Sequence, residues 1–123
     1  MLLWGPHGRG QLGRYQRRST AGPLVCNTVE ERKRTMPEKS YVATLLRKGT
    51  DTICCKVAEE TGEVIKAARE QSTEQLTKEL CDLFFHSMVL MADKGISFAH
   101  IEYELGKRHG ISGLDEKAAR KKS

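Results

Sequence analysis

The chain has 123 residues, 38% hydrophobic and 30% charged, with a formal net charge of +5. That length allows one domain at most and buries only a modest core, so association with another copy is expected. No apolar run is long enough to span a bilayer, and four cysteines without a Cys-x-x-Cys spacing exclude a disulfide framework and a zinc site.

Residues 1–27 are Arg- and Gly-rich, hold no acid before Glu30, and read as a disordered extension to a domain over residues 28–123. The same composition occurs in organellar transit peptides. Gly8-Arg-Gly10-Gln-Leu-Gly13 matches the dinucleotide fingerprint, but neither a preceding strand nor a βαβ pattern accompanies it. Thr28–Arg34 reads as a short polar helix broken by Pro37. Ser40 then caps an amphipathic helix with Val42, Leu45 and Leu46 on one side, ended by Gly49. Thr50 or Asp51 caps a helix over about 52–70, whose stripe is Ile53, Val57, Val64 and Ala68. Glu60 stands in that stripe where a Leu would be expected, and Glu63 lies at its edge.

A polar break at 70–73 leads to a helix capped by Ser72 or Thr73 and running to about Lys94. Its stripe is Leu76, Leu80, Leu83, Ser87 and Leu90 or Met91, with Glu79, Asp82 and His86 along one flank. The short link makes the two long helices antiparallel neighbours. Cys81, Phe84, Phe85, Met88, Val89 and Ala92 make the second of them apolar around most of its circumference, which implies burial on all sides. In so short a chain the natural cover is a second subunit. Gly95 stops this helix. Ser97 caps a further one from Phe98 to about Arg108, with Ile101 and Leu105 facing inward. A loop at 109–113 and a last helical turn over 114–120 precede a basic end. The pattern predicts an all-α fold, an antiparallel helical bundle completed by homodimerisation.

The two carboxylate motifs, Glu60-x-x-Glu63 and Glu79-x-x-Asp82, need a physical reason. Residues three apart on a helix share a face, so antiparallel packing brings four carboxylates together. A carboxylate facing a core is costly unless it is paired or bound to a metal. Clustered carboxylates repel, so either a pKa rises or a cation binds. Oxygen-only ligands suit Mg²⁺, Mn²⁺ or Ca²⁺. Mg²⁺ commonly shares itself with substrate phosphates, which points to phosphate chemistry with metal-activated water. The competing reading is a solvated face carrying two ion pairs, Lys56 with Glu60 and Lys78 with Asp82. A di-iron bundle wants Glu-x-x-His; Leu83 stands three before His86, so that alternative is set aside.

From about Val29 to Arg120 the chain carries Glu30-Glu31-Arg32-Lys33, Ser40-Tyr41-Val-Ala-Thr-Leu-Leu46, Lys48-Gly49, Lys56-Val-Ala-Glu59-Glu60-Thr-Gly-Glu63-Val64, Glu79-Leu-Cys-Asp82-Leu-Phe-Phe-His86 and Ser112-Gly113-Leu114-x-Glu116-Lys117-Ala118-Ala119-Arg120. In these segments, their order and their spacing it resembles the phosphoribosyl-ATP pyrophosphohydrolases of histidine biosynthesis, within the wider MazG-like all-α nucleotide pyrophosphohydrolases. The four cysteines read as free thiols of a reducing cytoplasm, and the resemblance implies a homodimer that binds Mg²⁺ through Glu60, Glu63, Glu79 and Asp82. It implies cleavage of the α–β phosphoanhydride of phosphoribosyl-ATP to phosphoribosyl-AMP and pyrophosphate. Within it, Glu59 and Glu60 are the catalytic candidates, Glu59 as base or as support beside the ligand set. Lys48, Lys56 and Arg69 are candidates for phosphate contacts, against the alternative of solvated surface charges. His86, one turn after Asp82, is a candidate to touch substrate or orient a ligand, against the alternative of a packed helix histidine. The first 27 residues match nothing in that family and replace part of its opening helix, and the chain lacks room for the cyclohydrolase domain fused to some members.

Two rival functions follow from the same residues. One keeps the chemistry and changes the substrate, to surplus or damaged nucleoside triphosphates. The other is a basic helical adaptor binding nucleic acid through the Arg-rich head and Lys/Arg-rich tail. Against the adaptor, no recognition helix with base-reading residues is evident and few aromatics are available for stacking.

Overall fold

The computed structural model describes residues 21–70 and 72–109. Among them the chain forms five α-helices and no strand: α1 Ala21–Thr35, α2 Tyr41–Lys48, α3 Thr50–Glu70, α4 Thr73–Asp93 and α5 Phe98–Arg108. The Gly8–Gly13 motif, the 110–113 part of the predicted loop and the predicted last turn over 114–120 lie outside the described residues.

Helix α1 starts seven residues before the predicted Thr28, so the expected domain boundary near residue 27 falls inside it. Pro23 is tolerated there because it lies in the first helical turn, where its missing N–H has no partner to lose. Cys26 and Val29 are the buried residues of this helix. It ends in a left-handed residue, Met36 (φ 48°), whose N–H donates to the Arg32 carbonyl at 2.8 Å. Pro37 prevents resumption. The Arg47 guanidinium donates to the carbonyls of Met36 (2.9 Å) and Pro37 (3.2 Å), fastening this link to α2.

The predicted serine caps form. Ser40, Ser72 and Ser97 accept from the N–H groups of Ala43, Gln75 and His100 respectively. Gly49 ends α2 at φ 98°, a conformation glycine adopts without a Cβ penalty. Helix α3 follows at once. Thr50 and Asp51, expected as caps, lie within its first turn, and the Gly49 carbonyl accepts from the Ile53 N–H at 3.2 Å. The Thr50 hydroxyl instead donates to Asp93 Oδ2 at 2.6 Å, tying the start of α3 to the end of α4. That bond makes the two long helices an antiparallel hairpin, as their short link predicts. Lys33 Nζ donates to the Ala92 carbonyl at 2.6 Å. It thus brings a cation and a donor to the C-terminus of α4, where both are needed.

The core is Val29, Val42, Leu45, Ile53, Val89 and Ala92, drawn from all four of the first helices, with Val25, Leu46, Phe85 and Leu90 packed around it. The stripe of α3 runs through Ile53, Val57, Glu60 and Val64 to Ala67; Ala67 is buried and the predicted Ala68 is exposed. On α4 the fully buried residues are His86, Val89 and Ala92. The predicted stripe of Leu76, Leu80, Leu83, Ser87, Leu90 and Met91 is only half-buried, and Phe84 is 58% exposed. The all-round burial predicted for α4 is therefore not supplied by this chain's own described helices. Helix α5 leans on α1, where Phe98 lies over Gly22 so closely that a Cβ there would sit 3.1 Å from the ring. It buries no residue, and Ile101 and Leu105, expected to face inward, are exposed because among the described residues α5 packs against α1 alone. None of the described helices is long and apolar enough to cross a membrane.

Candidate active site

Glu60 on α3 and Glu79 and Asp82 on α4 converge where the two helices run side by side. One carboxylate oxygen from each lies within 4.8 Å of the other two. Glu79 Oε1 accepts from Gln75 Nε2 at 2.7 Å, a one-turn brace that fixes its rotamer. The Glu60 carboxyl is held above the usual carboxylate range. Burial contributes most and Asp82 pushes the same way; His86 and Lys56 oppose the rise, and Glu79 adds to it.

Neither surface ion pair weighed in the sequence, Lys56–Glu60 or Lys78–Asp82, forms among the described residues. Lys56 Nζ pairs with Glu59 Oε2 at 3.2 Å instead. That hydrogen bond is the main reason the Lys56 ammonium is held above the usual lysine range. Glu60, Glu79 and Asp82 thus meet with no lysine or arginine of the described residues in an ion pair with any of them. Three oxygen donors, mutually repelling and close enough to share one ion, are a donor set that fits a hard divalent cation.

The other sequence candidates spread more widely. Glu63, one turn beyond Glu60, is exposed and outside the converging group. Glu59 lies on the next face of α3 with its side chain 60% exposed. Lys48 closes α2 and is exposed. Arg69 is exposed in the last turn of α3, about 14 Å along the helix axis from Glu60. Lys56 is one turn before Glu60 and half-buried.

His86 is 6% exposed, and both its ring nitrogens are engaged within the protein. Nδ1 lies 2.7 Å from the Asp82 carbonyl, and Nε2 lies 2.9 Å from the Tyr41 hydroxyl. The carbonyl can only accept, so Nδ1 carries a proton. In the neutral ring Nε2 is then an acceptor and the Tyr41 O–H donates to it. Tyr41, Phe85 and His86 form an aromatic nest: Tyr41 stacks on Phe85 at 6.3 Å and meets His86 edge-on at 5.8 Å. A direct contact between His86 and a ligand would require one of these bonds to open.

Beside this site an open groove of about 850 Å³ runs between α1 and α4. Leu24, Val25, Phe84, Phe85 and Met88 give it apolar walls, and Asp82 stands in its lining.

Residues 25–109 match the protein family described as phosphoribosyl-ATP pyrophosphohydrolase. The chain belongs to that family. Among its relatives are the phosphoribosyl-ATP pyrophosphatases of Azoarcus sp. (strain BH72), 47% identical over 97 residues, and of Chromobacterium violaceum, 45% identical over 97 residues. These alignments cover 79% of this chain and 91% and 90% of the relatives. The phosphoribosyl-ATP pyrophosphatase of Neisseria meningitidis serogroup B is 45% identical over 99 residues, 80% of this chain and 92% of its own. Membership makes the chain a hydrolase of phosphoanhydride bonds, and the MazG-like all-α architecture agrees with its five helices.

For a pyrophosphohydrolase of this family, two side chains near the carboxylates escaped the sequence reading as site residues. Gln75 has a signal, since it stands four before Glu79 at the spacing of a helical hydrogen-bonded pair. Tyr41 stands in the Ser40-Tyr41 segment that carries the resemblance, but its bond to His86 spans 45 positions and no local pattern announces it.

Proposed function

We propose that this chain catalyses the Mg²⁺-dependent hydrolysis of the α–β phosphoanhydride of phosphoribosyl-ATP, yielding phosphoribosyl-AMP and pyrophosphate for histidine biosynthesis. The observation that carries this reading is the meeting of Glu60, Glu79 and Asp82 from two helices in a member of this family. Glu60, Glu79 and Asp82 would hold the ion, and Glu63, exposed one turn away, would join them only after its side chain turned inward. Bound Mg²⁺ supplies charge neutralisation of the phosphate oxygens and a lowered pKa for a coordinated water. Gln75 orients Glu79 for that role. Glu59, kept beside the site by Lys56, is the candidate to take a proton from the attacking water. Lys56, one turn before Glu60, is the candidate to bring positive charge toward the phosphates, with Lys48 and the more distant Arg69 as further candidates. Four unpaired thiols, Cys26, Cys54, Cys55 and Cys81, suit a reducing cytoplasmic setting.

The test is to incubate purified protein with phosphoribosyl-ATP, with and without Mg²⁺, and to assay pyrophosphate. Release only with the metal is expected, and an inert protein would sink the reading. A panel of nucleoside triphosphates separates it from the surplus-nucleotide alternative, with phosphoribosyl-ATP expected to give the highest kcat/KM.

The working unit in this reading is a homodimer in which the partner covers the apolar groove between α1 and α4. The half-buried leucines of α4 and the exposed Phe84 support it. Phe84→Asp is expected to shift the protein to monomer in analytical ultracentrifugation while keeping its helical circular dichroism. Activity should fall with it, because Asp82 lines the same groove. A variant that stays dimeric would move the interface elsewhere.

A further inference from the structure

The aromatic nest beside the carboxylates has a polarity fixed by hydrogen bonding. His86 Nδ1–H donates to the Asp82 carbonyl at 2.7 Å, and in the neutral ring Nε2 accepts from the Tyr41 hydroxyl at 2.9 Å. With its only proton committed, the Tyr41 oxygen retains lone pairs and nothing to donate. Tyr41 is 49% exposed, whereas the His86 that polarises it is buried. Its position is the α2 side of the carboxylate group. His86 is one helical turn from Asp82 and within electrostatic reach of Glu60, and Lys56 is within reach of both Tyr41 and Glu60.

A fixed acceptor is the wrong chemistry for phosphate, whose oxygens are acceptors too. It is the right chemistry for a hydroxyl. We infer that the Tyr41 oxygen accepts a hydrogen bond from a ribose hydroxyl of the nucleotide substrate, so that Tyr41 reads the sugar while the carboxylates and cations deal with the phosphates. This deepens the pyrophosphohydrolase reading and rests on it. His86 then acts as a positioning residue: it touches no substrate, and its role is to hold the tyrosine proton.

The experiment is steady-state kinetics of Tyr41→Phe with phosphoribosyl-ATP and Mg²⁺, alongside inhibition by inorganic pyrophosphate. Expected is a rise in KM of about 5- to 20-fold with kcat within about twofold, the pattern of a lost binding contact made equally in ground and transition states. The inhibition constant for pyrophosphate, which has no hydroxyl to offer, should stay within about twofold. Unchanged KM overturns the inference, and so does a matching rise in KM and in the pyrophosphate constant, which would mean general damage to the site. If Tyr41→Phe loses its helical signal, the histidine serves instead. His86→Gln retains an amide oxygen to accept the tyrosine proton and should keep KM near that of wild type, whereas His86→Leu should raise it. Equal KM in those two variants overturns the inference. Wild-type protein inert toward phosphoribosyl-ATP removes the parent reading and this one together, while an active wild type with an unaltered Tyr41→Phe removes this one alone.

Discussion

Glu60→Gln is expected to lower kcat by about 10²- to 10³-fold, the effect of losing roughly 3–4 kcal/mol of transition-state stabilisation. The same substitution should make the metal-free protein more stable. The Glu60 carboxyl is held above its ordinary 4.5 by burial first and by Asp82 next. The folded protein therefore binds that proton more tightly than the unfolded chain does. Below about 4.5 the group imposes no penalty. As pH rises from there through the raised folded value, ionisation beside Asp82 and Glu79 increasingly opposes folding. Glutamine removes that opposition at neutral pH, so Tm without metal should rise by a few degrees and vary less with pH. Added Mg²⁺ should raise the Tm of wild type by mass action and leave that of the variant nearly unmoved. Activity, metal response and pH-dependent Tm can be measured on one preparation. A variant that keeps wild-type turnover would remove Glu60 from the mechanism. One that melts below wild type at neutral pH without metal would contradict the electrostatic account.

Ile53→Ala is expected to have the largest effect on stability. Ile53 is completely buried at the start of α3, packed among Val29, Val42, Leu45, Val89 and Ala92 from three other helices. Truncation there loses burial and leaves a cavity bounded by rigid helices, a cost of about 2–5 kcal/mol. Small domains hold only about 5–15 kcal/mol in all, so a large share of the stability goes with one side chain. Chemical denaturation should show a lower midpoint with an unchanged slope. Val57→Ala, one turn on and half-buried, should cost distinctly less. Equal losses at the two positions would mean that the core is not centred where the helices converge on Ile53.

Much of this architecture was legible because it is written in local signals. Ser40, Ser72 and Ser97 each stand one residue before a helix and accept from its first turn, and the glycines at 49 and 95 close helices in left-handed backbone. The convergence of Glu60, Glu79 and Asp82 was legible too, since an acid in an apolar stripe must meet something. What a helical pattern conveys less well is angle. Residues three apart differ by about 60° around the axis, enough for Glu60 to face α4 while Glu63 faces outward, and enough for Ala67 rather than Ala68 to reach the interior. The start of α1 was hidden because it falls within the Arg- and Gly-rich stretch over 1–27, whose composition carries little apolar periodicity. Long-range bonds were not legible at all. Lys33 with the Ala92 carbonyl, Thr50 with Asp93, and Tyr41 with His86 join residues 43 to 59 positions apart, and side-chain type alone does not select such partners.

The bond from Thr50 to Asp93 has a wider consequence. The hairpin of α3 and α4 is joined by the chain itself near residue 72 and by this bond at its far end, and the acids lie between the two fastenings. Like charges that would bow the rods apart are restrained at both extremities, as a drawn string is held by the tips of its bow. An arriving cation then finds its donors already gathered. In the proposed metal site little rearrangement would be subtracted from its binding, and relief of that repulsion would add to it.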